Sequence, residues 1–145
     1  YGTSGHVWQG RYKSFLVQPT RVAAEARLRG VVEGGDAVLA VLRYIERNPV
    51  SAGLATSAEA WPWSSAHWWA EPEAAPEFWR PTWYNRPEDW LAHVNRPQHE
   101  KELAALRRCM QRGCPFGREQ WVRQMAREYD LESTLRPRGR PKTRR

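Results

Sequence analysis

A phenol and a carboxamide stand four residues apart, at Tyr44 and Asn48, inside the run Asp36–Gly53 (DAVLAVLRYIERNPVSAG). A tyrosine hydroxyl can act as a covalent nucleophile, and a neighbouring amide oxygen can ligate a metal ion. On a helix that turns about 100° per residue, the two fall one turn apart on one flank, where their side chains can converge. The same pair also suits an ordinary core margin, with the Tyr ring on apolar surface, its hydroxyl in water and the Asn ending the helix. Spacing alone leaves both readings open.

The element that must position the pair reads as one short helix. Asp36 can cap its first turn, and Pro49 ends it, because proline brings no N–H and biases Asn48 toward extended geometry. Val38, Val41, Leu42 and Ile45 recur at helical spacing and predict the buried stripe. Arg43 and Arg47 are then expected to face solvent.

Upstream, Tyr12–Val17 is the best strand, and Gly10 before it suits a bulge or a close backbone approach. Arg11 and Lys13 share one face of such a strand, either against phosphates or as solvated charge on an edge. A lone histidine, His6, gives no metal site. Thr20 to Val32 predicts a helix closed by Gly34-Gly35.

Downstream, Ser64-Ser65 opens a helical turn toward Trp68-Trp69. The aromatic residues of Trp61-Pro62-Trp63 suit core packing, with base stacking on single strands as the alternative. Residues 71–97 are rich in Pro, Glu and Trp and exclude long helices. Trp79, Trp83 and Trp90 are expected to fold that segment back over the body. Gln98–Arg112 predicts an amphipathic helix with Leu103, Leu106 and Met110 on one face, stopped by Gly113. Arg118–Tyr129 predicts a second, so the two form a helix-turn-helix or a plain helical hairpin. Cys109 and Cys114 are too few for a disulfide framework or a zinc site and read as ordinary thiols.

The net charge is +7, and the stretch from Arg136 to Arg145 holds six basic residues and no acid. A basic tail on a near-neutral body points to a polyanion, nucleic acid first. Arg138-Gly139-Arg140-Pro141 resembles an AT-hook, in which arginines enter a narrow A·T minor groove. With Arg136 and Lys142, these residues make the tail the expected DNA contact. A mean hydropathy of -0.80 and the lack of a long apolar run exclude a membrane span. No signal peptide opens the sequence, so the expected location is the cytoplasm.

The blocks GHVWQGRYKSFLV (Gly5–Val17), LRYIERNPVSAGL (Leu42–Leu54) and WPWSS (Trp61–Ser65), with CPFGREQW (Cys114–Trp121) and the basic tail, resemble the REP-associated tyrosine transposases. These are bacterial relatives of the single-tyrosine HUH transposases. The resemblance implies an α+β fold, a ferredoxin-like sandwich present here in part as the strand and the nucleophile helix. A helical carboxy-terminal region and a disordered basic tail would follow. It implies residues 1–70 as the carboxy-terminal part of the catalytic domain, 71–97 as a connector, 98–134 as the helical pair and 135–145 as the tail.

The resemblance makes Tyr44 the nucleophile and Asn48 a ligand of a divalent metal, Mg²⁺ or Mn²⁺. Single-stranded hairpin DNA would be the partner, and the location would be bacterial and nucleoid-associated. A monomer and a homodimer are both compatible with it. The family's His-hydrophobic-His metal motif has no counterpart, because no two of His6, His67, His93 and His99 are separated by one residue. That departure suits a catalytically incomplete part of the enzyme, or alternatively a DNA-binding module without catalysis. The segment Thr20–Gly35 lengthens the family's usual connection and reads as an insertion.

Overall fold

A computed structural model describes residues 14–19, 37–79 and 86–137, and these are predominantly helical. The predicted helix over 20–32, the tail residues 138–145 and the Asp36 cap lie outside the described residues. In chain order the helices are α1 (Ala37–Ser51), α2 (Ser65–Ala70), α3 (Trp90–Asn95), α4 (Glu100–Arg112), α5 (Glu119–Glu128) and α6 (Glu132–Leu135), with a 3-10 turn at Pro72–Ala74. None of these helices is long and apolar enough to cross a membrane.

The centre of the fold is the packing of α1 on α3. Ala58, Ala66, Trp90 and Val94 form a buried cluster, and Leu39, Leu42, Val50 and Leu91 pack against it. This corrects the expected stripe on α1. Leu42 belongs to it, but Ile45 is 57% exposed, and Val38 and Val41 are only half-buried. The inward face is instead Leu39, Leu42, Arg43, Glu46 and Val50, which also follows helical spacing.

The two arginines expected in solvent turn inward. Arg43 Nη2 donates to the carbonyls of Arg96 (2.9 Å) and Pro97 (3.3 Å). Arg47 Nη1 donates to the carbonyls of Val94 and Asn95. Val94 and Asn95 end α3, and Arg96 and Pro97 follow it, so these carbonyls have no partner within that helix. Two guanidinium groups from α1 satisfy them, so polar chemistry overrides the hydropathy pattern.

α1 also runs past its expected stop. Pro49 lies within its last turn, where the missing N–H forfeits one bond, and Ala52 N–H still reaches the Asn48 carbonyl at 2.9 Å. Gly53, with φ +70°, then closes the turn, and Leu54 N–H bonds the Pro49 carbonyl.

The helical turn at Ser64-Ser65 forms as predicted. Ser64 caps α2 by accepting the Ala66 N–H at 3.1 Å. Asn95 ties the preceding loop to α3, with Oδ1 taking the Ala58 N–H (2.9 Å) and Nδ2 donating to Glu59 (2.8 Å). Trp90 is buried and Trp79 packs edge-on to Trp68, so this part of the Pro- and Trp-rich segment does fold back. Trp83 lies outside the described residues.

The carboxy-terminal helices match their predicted spans to within two residues at each end. Leu106 is buried on α4, flanked by the half-buried Leu103 and Met110. Gly113, at φ +68°, ends α4 in the left-handed region that favours glycine. The short α6 was not anticipated. Arg108 and Arg112 on α4 hold it by donating to the carbonyls of Leu135 (2.9 Å) and Ser133 (3.1 Å).

An isolated parallel bridge joins Val17 to Phe116. Phe116 N–H bonds the Leu16 carbonyl (2.8 Å), and Gln18 N–H bonds the Phe116 carbonyl (2.9 Å). Of the predicted Tyr12–Val17 strand, residues 14–17 are described, and this pairing is the β-structure that the described residues contain.

Candidate functional site

The densest polar site is one that sequence reasoning missed. Glu46 is 1% exposed, and both of its carboxylate oxygens are engaged. Arg86 Nη2 donates to Oε1 at 2.7 Å, Ser65 Oγ donates to the same oxygen at 2.6 Å, and Trp90 Nε1 donates to Oε2 at 2.7 Å. The Arg86 guanidinium lies 4.9 Å from the Trp69 ring centre and 5.8 Å from that of Trp90. A buried carboxylate is costly unless paired and hydrogen-bonded, and here it is both. One side chain thereby joins α1, the start of α2, the segment before α3, and α3 itself. A signal was available: an acid occupies position 46, where the spacing of Leu39, Leu42 and Val50 asks for an apolar residue.

Tyr44 and Asn48 lie on the other side of α1. Each is two residues from Glu46, which is about 200° around the helix. Tyr44 is half-buried and Asn48 is exposed. The Glu46 network fixes the rotation of α1, so it also fixes the direction in which this pair is presented. The link runs between two of the sequence blocks, since Glu46 belongs to RYIERNP and Ser65 to WPWSS.

No family model, curated protein or solved structure matches the chain.

The other expected DNA contacts are only partly in view. Arg136 is exposed just after α6. Arg11, Lys13, Arg138, Gly139, Arg140 and Lys142 lie outside the described residues. For a metal, the described residues offer the Asn48 amide, and no three His, Cys, Asp or Glu side chains among them converge. This donor set does not by itself hold a divalent ion.

Two aromatic residues stand out in solvent. Trp63, expected to pack, is 79% exposed, and Phe78 is 80% exposed at the edge of Trp68. The turn carrying Trp63 is nevertheless fixed, because the Ser64 N–H bonds the Trp61 carbonyl at 3.1 Å. On α5, Gln120, Arg123, Gln124, Arg127 and Glu128 line a shallow open hollow. Arg123 there pairs with Glu119 one turn earlier.

Cys109 and Cys114 are both free and buried. Burial, then the hydrogen bond and charge of Cys114, push the Cys109 thiol up to about 12, with Arg108 pulling the other way.

Proposed function

We propose that this chain is part of a tyrosine transposase that cleaves and rejoins single-stranded DNA beside hairpins, with Tyr44 as nucleophile. The observation that carries the reading is the placement of Tyr44 and Asn48 on the face of α1 opposite Glu46. There the rotation of α1 is set by a contact with the WPWSS block. A nucleophile that must attack in line needs such fixed presentation. In the reaction the Tyr44 oxygen bonds to phosphorus, and the bond from phosphorus to the 3′ oxygen breaks. The Tyr44 proton is given up, and the leaving oxygen is protonated to a free 3′-hydroxyl. A 5′-phosphotyrosine conserves the phosphodiester linkage until a 3′-hydroxyl attacks it and releases Tyr44. The resemblance implies a divalent cation with Asn48 as one ligand, and its other ligands would have to come from outside the described residues. The α+β catalytic domain belongs to the same proposal.

The test is a covalent-adduct assay with the protein expressed from its complete reading frame. Protein, hairpin-bearing single-stranded DNA and Mg²⁺ or Mn²⁺ are mixed, and denaturing gels score a protein–DNA band. The band should disappear in Tyr44→Phe and weaken in Asn48→Ala. A band that survives in Tyr44→Phe, or no band at all despite hairpin binding, sinks the catalytic assignment.

The exposed Trp63 gives a separate prediction within this reading. Stacking a base on an aromatic ring contributes about 1–3 kcal/mol. Trp63→Ala is therefore expected to weaken single-strand binding by roughly 5- to 150-fold while leaving thermal stability unchanged. Fluorescence anisotropy with a labelled hairpin checks this, and unchanged affinity would assign Trp63 no contact.

A second reading, a DNA-binding module without catalysis, is favoured by the Gln- and Arg-bearing outer face of α5. Gln and Arg are side chains that reach base edges and phosphates. Hairpin or duplex binding that survives Tyr44→Phe but is lost on replacing Gln124 and Arg127 would support it.

A further inference from the structure

The chain has two cysteines in all, and the function proposed above uses neither. Cys109 sits in the last turn of α4, and Cys114 follows the Gly113 that ends it. The Gly113 N–H bonds the Cys109 carbonyl at 2.8 Å, which folds the chain back so that the two side chains meet. Cys114 Sγ donates to Cys109 Sγ across 3.2 Å, and Cys109 Sγ points at the Pro115 carbonyl at 3.6 Å. A disulfide holds its sulfurs about 2.05 Å apart, so small side-chain rotations that bring them about 1 Å closer would suffice.

The neighbourhood gives such a bond a consequence. Directly after Cys114, Phe116 pairs with Leu16 and Gln18, and the Arg118 N–H at the start of α5 donates to Gln18 Oε1 at 2.7 Å. The six residues from Cys109 to Cys114 therefore form the connection that places α5 and the Leu16–Gln18 segment relative to α4.

We propose that Cys109 and Cys114 are a disulfide-forming pair, and that their bridge locks the turn between α4 and α5. The oxidant is a low-molecular-weight disulfide such as oxidised glutathione. One cysteine thiolate attacks a glutathione sulfur, forms a mixed disulfide and displaces a glutathione thiolate. The other cysteine thiolate then attacks the protein sulfur of that mixed disulfide and displaces the second glutathione. Two cysteine thiols are oxidised, one glutathione disulfide is reduced to two thiols, and the two cysteine protons end on the released glutathione. The exchange is slow at neutral pH, because both sulfurs are buried and the attacking species is the thiolate.

The test compares the folded protein with itself in urea. The full chain is equilibrated with graded ratios of oxidised to reduced glutathione, quenched with acid, alkylated and weighed by mass spectrometry. The geometry predicts an intramolecular bridge without bound glutathione. Its equilibrium constant should be at least tenfold larger in the folded protein than in urea, because the fold already holds the sulfurs together. Cys109→Ser and Cys114→Ser should each yield glutathione adducts and no bridge. An equal or smaller constant in the folded state overturns the proposal, as does a glutathione adduct that persists on the wild-type protein. The folded-to-urea ratio is read on the wild-type chain, so poor folding of either variant leaves the test intact.

Discussion

Replacing Glu46 by alanine is expected to lower the unfolding free energy by about 3–5 kcal/mol, the usual cost of removing one partner from a buried ion pair. The side chain of Arg86 is 2% exposed and that of Glu46 is 0% exposed, so the abandoned guanidinium has little access to water. The Trp90 indole N–H and the Ser65 hydroxyl lose their acceptor in the same step. Urea denaturation followed by circular dichroism measures the change. A second variant separates charge from packing. Glu46→Leu combined with Arg86→Met removes both charges and should recover much of the loss. The recovery stays incomplete because a buried, unsatisfied Trp90 donor still costs about 1–3 kcal/mol. A loss below about 1 kcal/mol in Glu46→Ala would mean that the network holds nothing together.

Gly117→Ala should cost about 1–3 kcal/mol, the range for forcing extra volume into a packed contact. A Cβ there would stand 2.6 Å from Gln18 Cβ, 2.7 Å from Gln18 Oε1 and 2.9 Å from Trp121 Cε3. Pushing Gln18 away also takes its side-chain oxygen from the Arg118 N–H. Hydrogen exchange should quicken at Phe116 and Gln18, whose amides make the bridge between the two segments. Adding Gln18→Gly to Gly117→Ala removes the nearest clashing atoms and should restore part of the stability. If the single variant is as stable as the parent, the close approach of these segments is not a constraint on the fold.

The helices at the carboxy-terminal end were legible because their signals are local. Leu106 at helical spacing and Gly113 after the last turn need no distant partner to be read. The face of α1 was not legible in the same way. Its apolar residues fit two overlapping stripes, and the choice is made by α3 and the two residues after it, which lie 44 to 54 residues on and supply an indole N–H and four carbonyls. Hydropathy assigns Arg43, Glu46 and Arg47 to solvent, since it carries no information about a hydrogen-bonding partner elsewhere. Trp63 shows the converse: its type suggests burial, yet it stands 79% exposed in the turn before α2. Tyr44 and Asn48 are candidates from their spacing together with the resemblance, and the fold adds Glu46, whose hydrogen bonds set the rotation of the helix that carries them.

The inward turn of Arg43, Arg47 and Arg86 alters what a polyanion meets. All three count toward the formal charge of +7, yet Arg86 is matched by Glu46, and the other two are occupied by the carbonyls at the end of α3. Counterions condensed on DNA are released only by cations that reach its phosphates, at about 0.9 per phosphate neutralised on duplex and about 0.7 on single strands. The salt dependence of the DNA binding proposed for this chain should therefore be shallower than the arginine count suggests. It should be governed by residues 136–145, which contribute six positive charges and no negative one.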